Sequence, residues 1–274
     1  MSTLFVVGTP IGNLEDLSQR AIRVLKQVDR VAAEDTRHTK KLLSHLGISK
    51  KPLESIESHQ IASRVAGLVQ RLEAGESIAL VTDAGMPGVS DPGSQLVRAA
   101  RERSIKIESV PGPSAVTTAV ATSGLVDGGF RFVGFLPRKG SARREALERI
   151  QATPEAVVLF ESPNRAQQTL EDLAALTPAR EVCVGRELTK LHEEFVWGSV
   201  QELAERAEWR GELTLVLGPH SPTKVEVSTD DLDAAIRRGL AEGRSARDLA
   251  QELAEHTGRP RREIYQRILQ LAQR

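Results

Sequence analysis

The sequence holds one cysteine, Cys183, so an intrachain disulfide is excluded. Cys183 stands in REVCVGRE, a β-like run, and is read as a buried, inert thiol. Aromatic residues make up only 3% of the chain, which argues against base stacking on protein rings as the main mode of any nucleic-acid contact. Neither sign of charge is in excess. The 37 Lys and Arg balance 37 Asp and Glu, so a nucleic-acid partner has to be held by local patches. No apolar run approaches the ~18 residues of a membrane span. The opening MSTLFVVGTPIGN has no basic leader, so a soluble, cytoplasmic protein without a membrane partner is expected. The six histidines lack zinc-ligand spacing, and no metal is expected. Three catalytic signatures are missing as well. Gly8 and Gly12 are wrongly spaced for the dinucleotide fingerprint and Pro10 intrudes, although Glu34 or Asp35 falls near the ribose-contact distance. No glycine loop ends in Gly-Lys-Ser or Gly-Lys-Thr, and there is no G-x-S-x-G elbow.

What is present is an alternation of strand-like and helix-like stretches, which predicts an α/β class with mostly parallel pairing. Strands are expected at 4–8, 30–33, 77–82, 106–110, 131–135, 156–160, 181–187, 194–198 and 213–217. Helices are expected near 17–28, 36–46, 61–73, 94–103, 142–150 and 163–176. The glycine-rich SGLVDGG at 123–129 marks a break between two α/β domains, placed at 1–120 and 121–219. HSPTK at 220–224 reads as a linker. The tail, 225–274, has no strand signal and reads as three short helices, a small helical module of helix-turn-helix type or a cap on the body.

Four turns bearing glycine or proline each follow a predicted strand: GTPIGN (8–13), TDAGMPGVSDPG (82–93), VPGPSA (110–115) and FESPNR (160–165). Ligands bind at the carboxyl ends of strands in open α/β sheets, so four such turns in one chain point to a cleft. Glycine lets a ligand approach bare backbone, and proline lowers the cost of ordering a loop. Asp83, just past a strand end, is assigned to the ligand, and Asp91 to bracing the loop.

These turns, with AEDTRHTKKLL, SHQ and GRELTKLHEE between them, occur in an order that resembles the ribosomal RNA small subunit methyltransferase I family. That family belongs to the tetrapyrrole-methylase-like class of S-adenosylmethionine enzymes and makes a 2′-O-methyl cytidine in 16S ribosomal RNA. The resemblance covers about residues 3–219, and the tail resembles the family's C-terminal helix-turn-helix-like domain. It implies two α/β domains with S-adenosylmethionine in the cleft between them, a homodimer, and 16S rRNA or the assembled small subunit as partner. By the same resemblance Pro10, Thr82, Asp83, Ala84, Gly85 and Val89 line the donor site, with Ser114 and Ala115 from VPGPSA and Phe160 from the second domain. AEDTRHT is then placed near the substrate rather than on a cofactor ribose.

Methyl transfer to a neutral ribose hydroxyl needs alignment and a base or cation near the oxygen. Asp35 and Lys190 are the candidates, with Glu161 and Glu187 as alternative acids and His38 and His59 as weaker ones. The alternative role for Lys190 is to hold the alkoxide or a phosphate. Arg37, Arg165 and Arg186 are candidate phosphate clamps. FLPRKGSARRE carries Arg138, Lys139, Arg143 and Arg144 around a Gly-Ser joint and reads as a basic RNA loop, with Arg259, Arg261, Arg262 and Arg267 adding charge in the tail. Two alternatives remain open from the residues: a tetrapyrrole methyltransferase of the same fold, and a non-catalytic RNA-binding module.

Overall fold

In the computed structural model the described residues are 2–56, 61–90, 93–206, 208–220, 229–241, 244–257 and 261–272. Asp91, His59 and Arg259, singled out above, lie outside them, as does nearly all of the HSPTK linker. The chain divides into a body, Met1–His220, and a tail unit, Ser221–Arg274.

The body opens with strand β1 (Thr3–Val7), whose TLFVV run inserts between two neighbours and is buried on both faces. Ser18 caps helix α1 (Gln19–Gln27) by accepting from the Ala21 amide at 3.1 Å, and the helix buries Ala21, Val24 and Leu25. Strand β2 (Arg30–Ala33) follows, then α2 (Thr36–His45), β3 (Leu53–Ser55), α3 (Ile61–Glu73), β4 (Ile78–Val81), α4 (Ser94–Glu102) and β5 (Lys106–Val110). The first sheet has the order β3-β2-β4-β1-β5, and every pairing in it is parallel. Each connection passes through a helix, and helices cover both faces, with Leu25 and Leu43 in one core and Leu68, Leu72 and Leu96 in the other. Burying one such leucine contributes about 1.5–3 kcal/mol.

The second half begins with α5 (Ala115–Ser123) and continues through β6 (Phe130–Phe135), α6 (Ser141–Ala152), β7 (Ala156–Glu161), α7 (Pro163–Ala174), β8 (Glu181–Arg186), β9 (Glu194–Ser199), α8 (Val200–Ala204) and β10 (Leu213–Leu217). Its sheet has the order β6-β7-β10-β8-β9. Only β6 and β7 pair in parallel; β7–β10, β10–β8 and β8–β9 are antiparallel. The expectation of mostly parallel pairing fails here for a geometric reason. A parallel return needs a crossover of about a dozen residues or more, and the β8–β9 link, residues 187–193, is shorter than that.

Helix α5 is absent from the sequence reading. It buries Val116, Ala119 and Ser123 at helical spacing, but its exposed positions are Thr117, Ala121 and Thr122, small or β-branched residues that hide the period. Val116 and Ala119 pack with Val158, Cys183 and Val216, on the second sheet. The short β3 and α8 were likewise not expected. Cys183 is fully buried and its thiol is pushed up to about 11 by burial, as an inert side chain should be. Among the described residues no helix is long and apolar enough to cross a membrane.

The tail unit consists of α9 (Thr229–Ala241), α10 (Ala246–Thr257) and α11 (Arg261–Ala272), around a core of Leu232, Ile236, Leu249, Ala250, Ile264 and Ile268. Arg267 joins α11 to α9 by donating to both carboxylate oxygens of Asp233, at 2.8 and 2.6 Å, whereas Arg261 and Arg262 are exposed.

Candidate active site

The strand-end turns meet because glycine allows their backbones to touch. A Cβ built on Gly8 would stand 2.7 Å from Gly112 Cα, and one on Gly112 would stand 2.8 Å from Gly8 Cα. No side chain fits in that gap, so GTPIGN and VPGPSA are locked against each other at the ends of β1 and β5. Thr9 exchanges backbone hydrogen bonds with Gly85, at 2.9 and 3.1 Å, and its hydroxyl donates to the carbonyl of Thr82 at 3.1 Å. This pins TDAGMPGVSDPG to GTPIGN. Gly85 itself sits at φ +84, a left-handed conformation that L side chains rarely adopt.

Opposite these turns stand the ends of β7 and β8, and a cleft of about 320 Å³ lies between the two sheets. Ala84, Gly85, Val89, Ser114, Ala115 and Phe160, six of the residues expected to line a donor site, face it. Phe160 is held there by Phe132 and Phe135, with ring centroids 5.0 and 5.5 Å away. The other three are not among the residues that line it. Pro10 stands between Thr9 and the lining residue Ile11. Thr82 is buried and donates from Oγ1 to Glu34 Oε2 at 2.6 Å. Asp83 accepts the Asp35 amide at 3.1 Å on Oδ1.

Sequence reasoning missed Glu212, Leu213 and Thr214, which line the same cleft. Glu212 immediately precedes β10 and Leu213 and Thr214 open it, so none of the three follows a strand. Because β10 runs antiparallel to both neighbours, its beginning lies at the same edge as the ends of β7 and β8, where Leu213 pairs with Glu161 and Arg186. A search restricted to turns after strands cannot find them. Phe135 and Leu188 were also not assigned to the cleft they line.

The charged candidates fall into separate environments. Asp35 caps α2, accepting the Arg37 amide at 2.8 Å, and both of its oxygens accept from the Arg37 guanidinium. The Arg37 hydrogen bonds hold the Asp35 carboxyl down at about 2. Asp83 is displaced the other way, raised by burial, with Glu34 and Asp35 adding like charge and the Asp35 amide opposing. Lys190 donates to Glu187 Oε1 at 3.0 Å and to the cleft residue Glu212 at 2.9 Å. Burial works to lower the Lys190 ammonium, but those two carboxylates outweigh it and the net shift is upward. The Lys190 stem lies across Gly12, where an added Cβ would come within 2.5 Å of Lys190 Cγ. The turn carrying Lys190 holds Glu187 and Thr189 at φ +52 and +65, unusual for residues with side chains.

Arg143 corrects the sequence reading. It is buried rather than presented on a basic loop, donating to Asp172, Pro137 O and Thr169 Oγ1. Arg138, Lys139 and Arg144 are exposed beside it. Arg165 donates to Leu136 O at 2.7 Å, and Arg186 to Glu194 at 2.9 Å, so both are committed to internal partners. Arg37 is exposed and pairs with Asp35. No group of three or more His, Cys, Asp or Glu able to hold a metal occurs among the described residues.

The profile of the family described as Tetrapyrrole (Corrin/Porphyrin) Methylases matches residues 3–204, and that of the RsmI C-terminal HTH domain matches residues 226–272. A Halalkalibacterium halodurans protein named Ribosomal RNA small subunit methyltransferase I is 42% identical over 271 residues, 96% of this chain and 93% of its own length. Proteins of the same name from Synechocystis and Thermotoga maritima are 40% and 46% identical, covering 99% and 79% of this chain and 99% and 98% of their own. Among solved structures the fold is similar to diphthine synthase, with TM-score 0.62 at 17% identity over 80% of this chain and 92% of that one. It is also similar to Thermus thermophilus uroporphyrin-III C-methyltransferase complexed with S-adenosyl homocysteine, with TM-score 0.56 at 20% identity over 80% and 97%. The parallel first sheet, the mixed second sheet, the cleft between them and the near-full-length relatives agree: the chain belongs to the tetrapyrrole methylase family, in its ribosomal RNA small subunit methyltransferase I branch.

Proposed function

We propose that this protein transfers a methyl group from S-adenosylmethionine to the 2′-oxygen of a cytidine in 16S ribosomal RNA. The observation that carries the reading is the cleft itself, built by strand-end turns of both sheets and lined by bare backbone on one side and Phe160 on the other. Its chemistry fits the donor. Ile11, Val89 and Phe160 offer apolar walls for a flat base, and the amino ends of α5 and α7, at Ser114–Ala115 and Ser162–Pro163, turn positive backbone ends toward it for a carboxylate. S-adenosylmethionine supplies an electrophilic methyl group on sulfur. The nine donor-site assignments are kept, with Pro10, Thr82 and Asp83 adjoining the lining residues Ile11 and Ala84 in the chain rather than lining the cleft themselves.

The chain's own part is alignment and charge. Lys190, held protonated by Glu187 and Glu212, suits stabilisation of a developing alkoxide or of a neighbouring phosphate rather than proton removal. Asp35 is a weak base because Arg37 occupies it, and its proposed contribution is to orient Arg37 toward the substrate. Arg138, Lys139 and Arg144 form the proposed phosphate-binding rim, joined by exposed Arg37. We place the junction of the two α/β domains in VPGPS, ahead of α5, since α5 packs on the second sheet. A homodimer is proposed on the family's example, with the exposed Trp197 on edge strand β9 as a contact; sedimentation of the protein tests it.

Mass spectrometry of small-subunit RNA from cells lacking the protein is the direct test. A missing 2′-O-methyl cytidine that returns on complementation is expected. An unchanged RNA, with methyl incorporation into a tetrapyrrole instead, overturns the reading.

A further inference from the structure

We propose that Arg165 and Arg143 are positioning residues that fasten the basic rim to the wall of the cleft, so that RNA affinity depends on a clamp the RNA never touches. The proposal rests on the functional reading above. Two residues, Leu136 and Pro137, separate the lining ring of Phe135 from the exposed cation Arg138, and the carbonyls of both are gripped. Arg165 Nη2 donates to Leu136 O at 2.7 Å and reaches Pro137 O at 3.5 Å. Arg143 Nη1 donates to the same Pro137 carbonyl at 3.2 Å.

Both guanidinium groups are neutralised inside the protein. Arg143 pairs with Asp172 at 2.7 Å and also donates to Thr169 Oγ1 at 3.0 Å. Thr169 in turn donates to Glu161 Oε2 at 2.7 Å, and the same oxygen lies 3.4 Å from Arg165. Glu161 is 2% exposed, and it lines the cleft. One buried carboxylate therefore belongs to the donor wall and to the clamp at once. Such fully connected buried networks hold one geometry. Two arginines committed to internal partners, Arg143 buried and Arg165 half-buried, would be a poor choice for solubility or for RNA contact, and proline at 137 has no amide of its own to anchor the loop. The arrangement is explained if the loop must leave the cleft in a fixed direction, with Arg138 and Lys139 held at the rim.

The test uses the full-length protein, small ribosomal subunits carrying unmodified RNA, and a labelled methyl donor. Arg165→Gln is compared with the paired truncation Arg138→Ala/Lys139→Ala and with all three changes together. Arg165→Gln is expected to raise KM for the subunit about tenfold while calorimetry with S-adenosyl homocysteine gives a Kd within about twofold of wild type. The rim truncation, costing about tenfold in the wild-type background, should cost under about threefold once Arg165 is gone. A merely structural role gives additive effects, or donor affinity that falls in step with KM, and either result overturns the proposal, as does an unchanged KM. If Arg165→Gln does not fold, Arg165→Lys, which keeps one donor for Leu136 O, must show the same KM-selective loss in smaller degree. If the wild-type protein transfers no methyl group to the subunit, the functional reading fails and the clamp with it. If transfer occurs without coupling, only the clamp fails.

Discussion

The backbone amide of Asp35 donates to the Asp83 carboxylate over 3.1 Å, tying the end of β2 to the end of its neighbour β4. The two aspartates so joined are displaced in opposite directions. Asp35 is lowered to about 2 by the Arg37 hydrogen bonds, so it stabilises the fold above its ordinary value of 3.8 and loses that contribution as pH falls toward 2. Asp83 is raised by burial, so its contribution is favourable below 3.8 and is lost as pH rises through its folded value. Asp35→Asn should therefore lower Tm at pH 7 and Asp83→Asn should raise it, with both differences shrinking in acid. Melting curves from about pH 7 down to about pH 3 check the signs. A destabilising Asp83→Asn at pH 7 would refute the account.

Gly8→Ala should be among the most damaging single-methyl additions in the first lobe. Its Cβ would stand 2.7 Å from both Gly112 Cα and Gly112 N, and backbone cannot rotate away as a side chain can. Overpacking of this kind costs about 1–3 kcal/mol or more. The chemical-denaturation midpoint and the donor Kd should both worsen, since the two turns that form one wall are forced apart.

Lys190→Met should lower kcat by about 100-fold or more while leaving donor affinity close to wild type. With its ammonium shifted upward from the ordinary 10.5, the wild-type enzyme should show no rate inflection assignable to this lysine between about pH 7 and 10. A rising limb that vanishes in Lys190→Met would instead make Lys190 the base. Single-turnover methylation across that range distinguishes the two.

Arg180 is a purely architectural prediction. It is buried, donates to the carbonyls of Gly218, Ile150 and Glu155 at 2.7, 3.0 and 2.9 Å, and is lowered to about 10 by burial. Arg180→Met removes a donor from three carbonyls, of which Ile150 O keeps the Thr153 amide, and should cost about 2–4 kcal/mol, read as a shift of the urea midpoint. Phe160→Ala, by contrast, should weaken donor binding by about tenfold or more, because its ring both fills the cleft wall and is packed by Phe132 and Phe135.

The first sheet was legible in the sequence because β1, β2 and β4 are short, largely apolar runs, β5 is marked by the PGPSA turn that ends it, and each long helix has a periodic face. Much of the cleft lining was legible because turns after strands carry glycine and proline that ordinary helices and strands exclude. Glu212–Thr214 escaped because antiparallel pairing reverses which end of a strand meets the cleft. Arg143 misled because a cation in a run of cations looks solvated, and nothing local marks Asp172, 29 residues away, as its partner. Helix α5 escaped because its solvent face carries threonine and alanine rather than charge.

Strand β10, the last strand among the described residues, is the middle strand of its sheet. The first sheet is complete once residue 110 has been made, but β7 and β8 have no direct pairing with each other and wait for β10 to join them. During synthesis the first half can therefore settle while the second still exposes two unpaired strand edges. A ribosome stalled before residue 213 would carry a nascent chain with one finished lobe, one open one, and no capacity to hold the methyl donor.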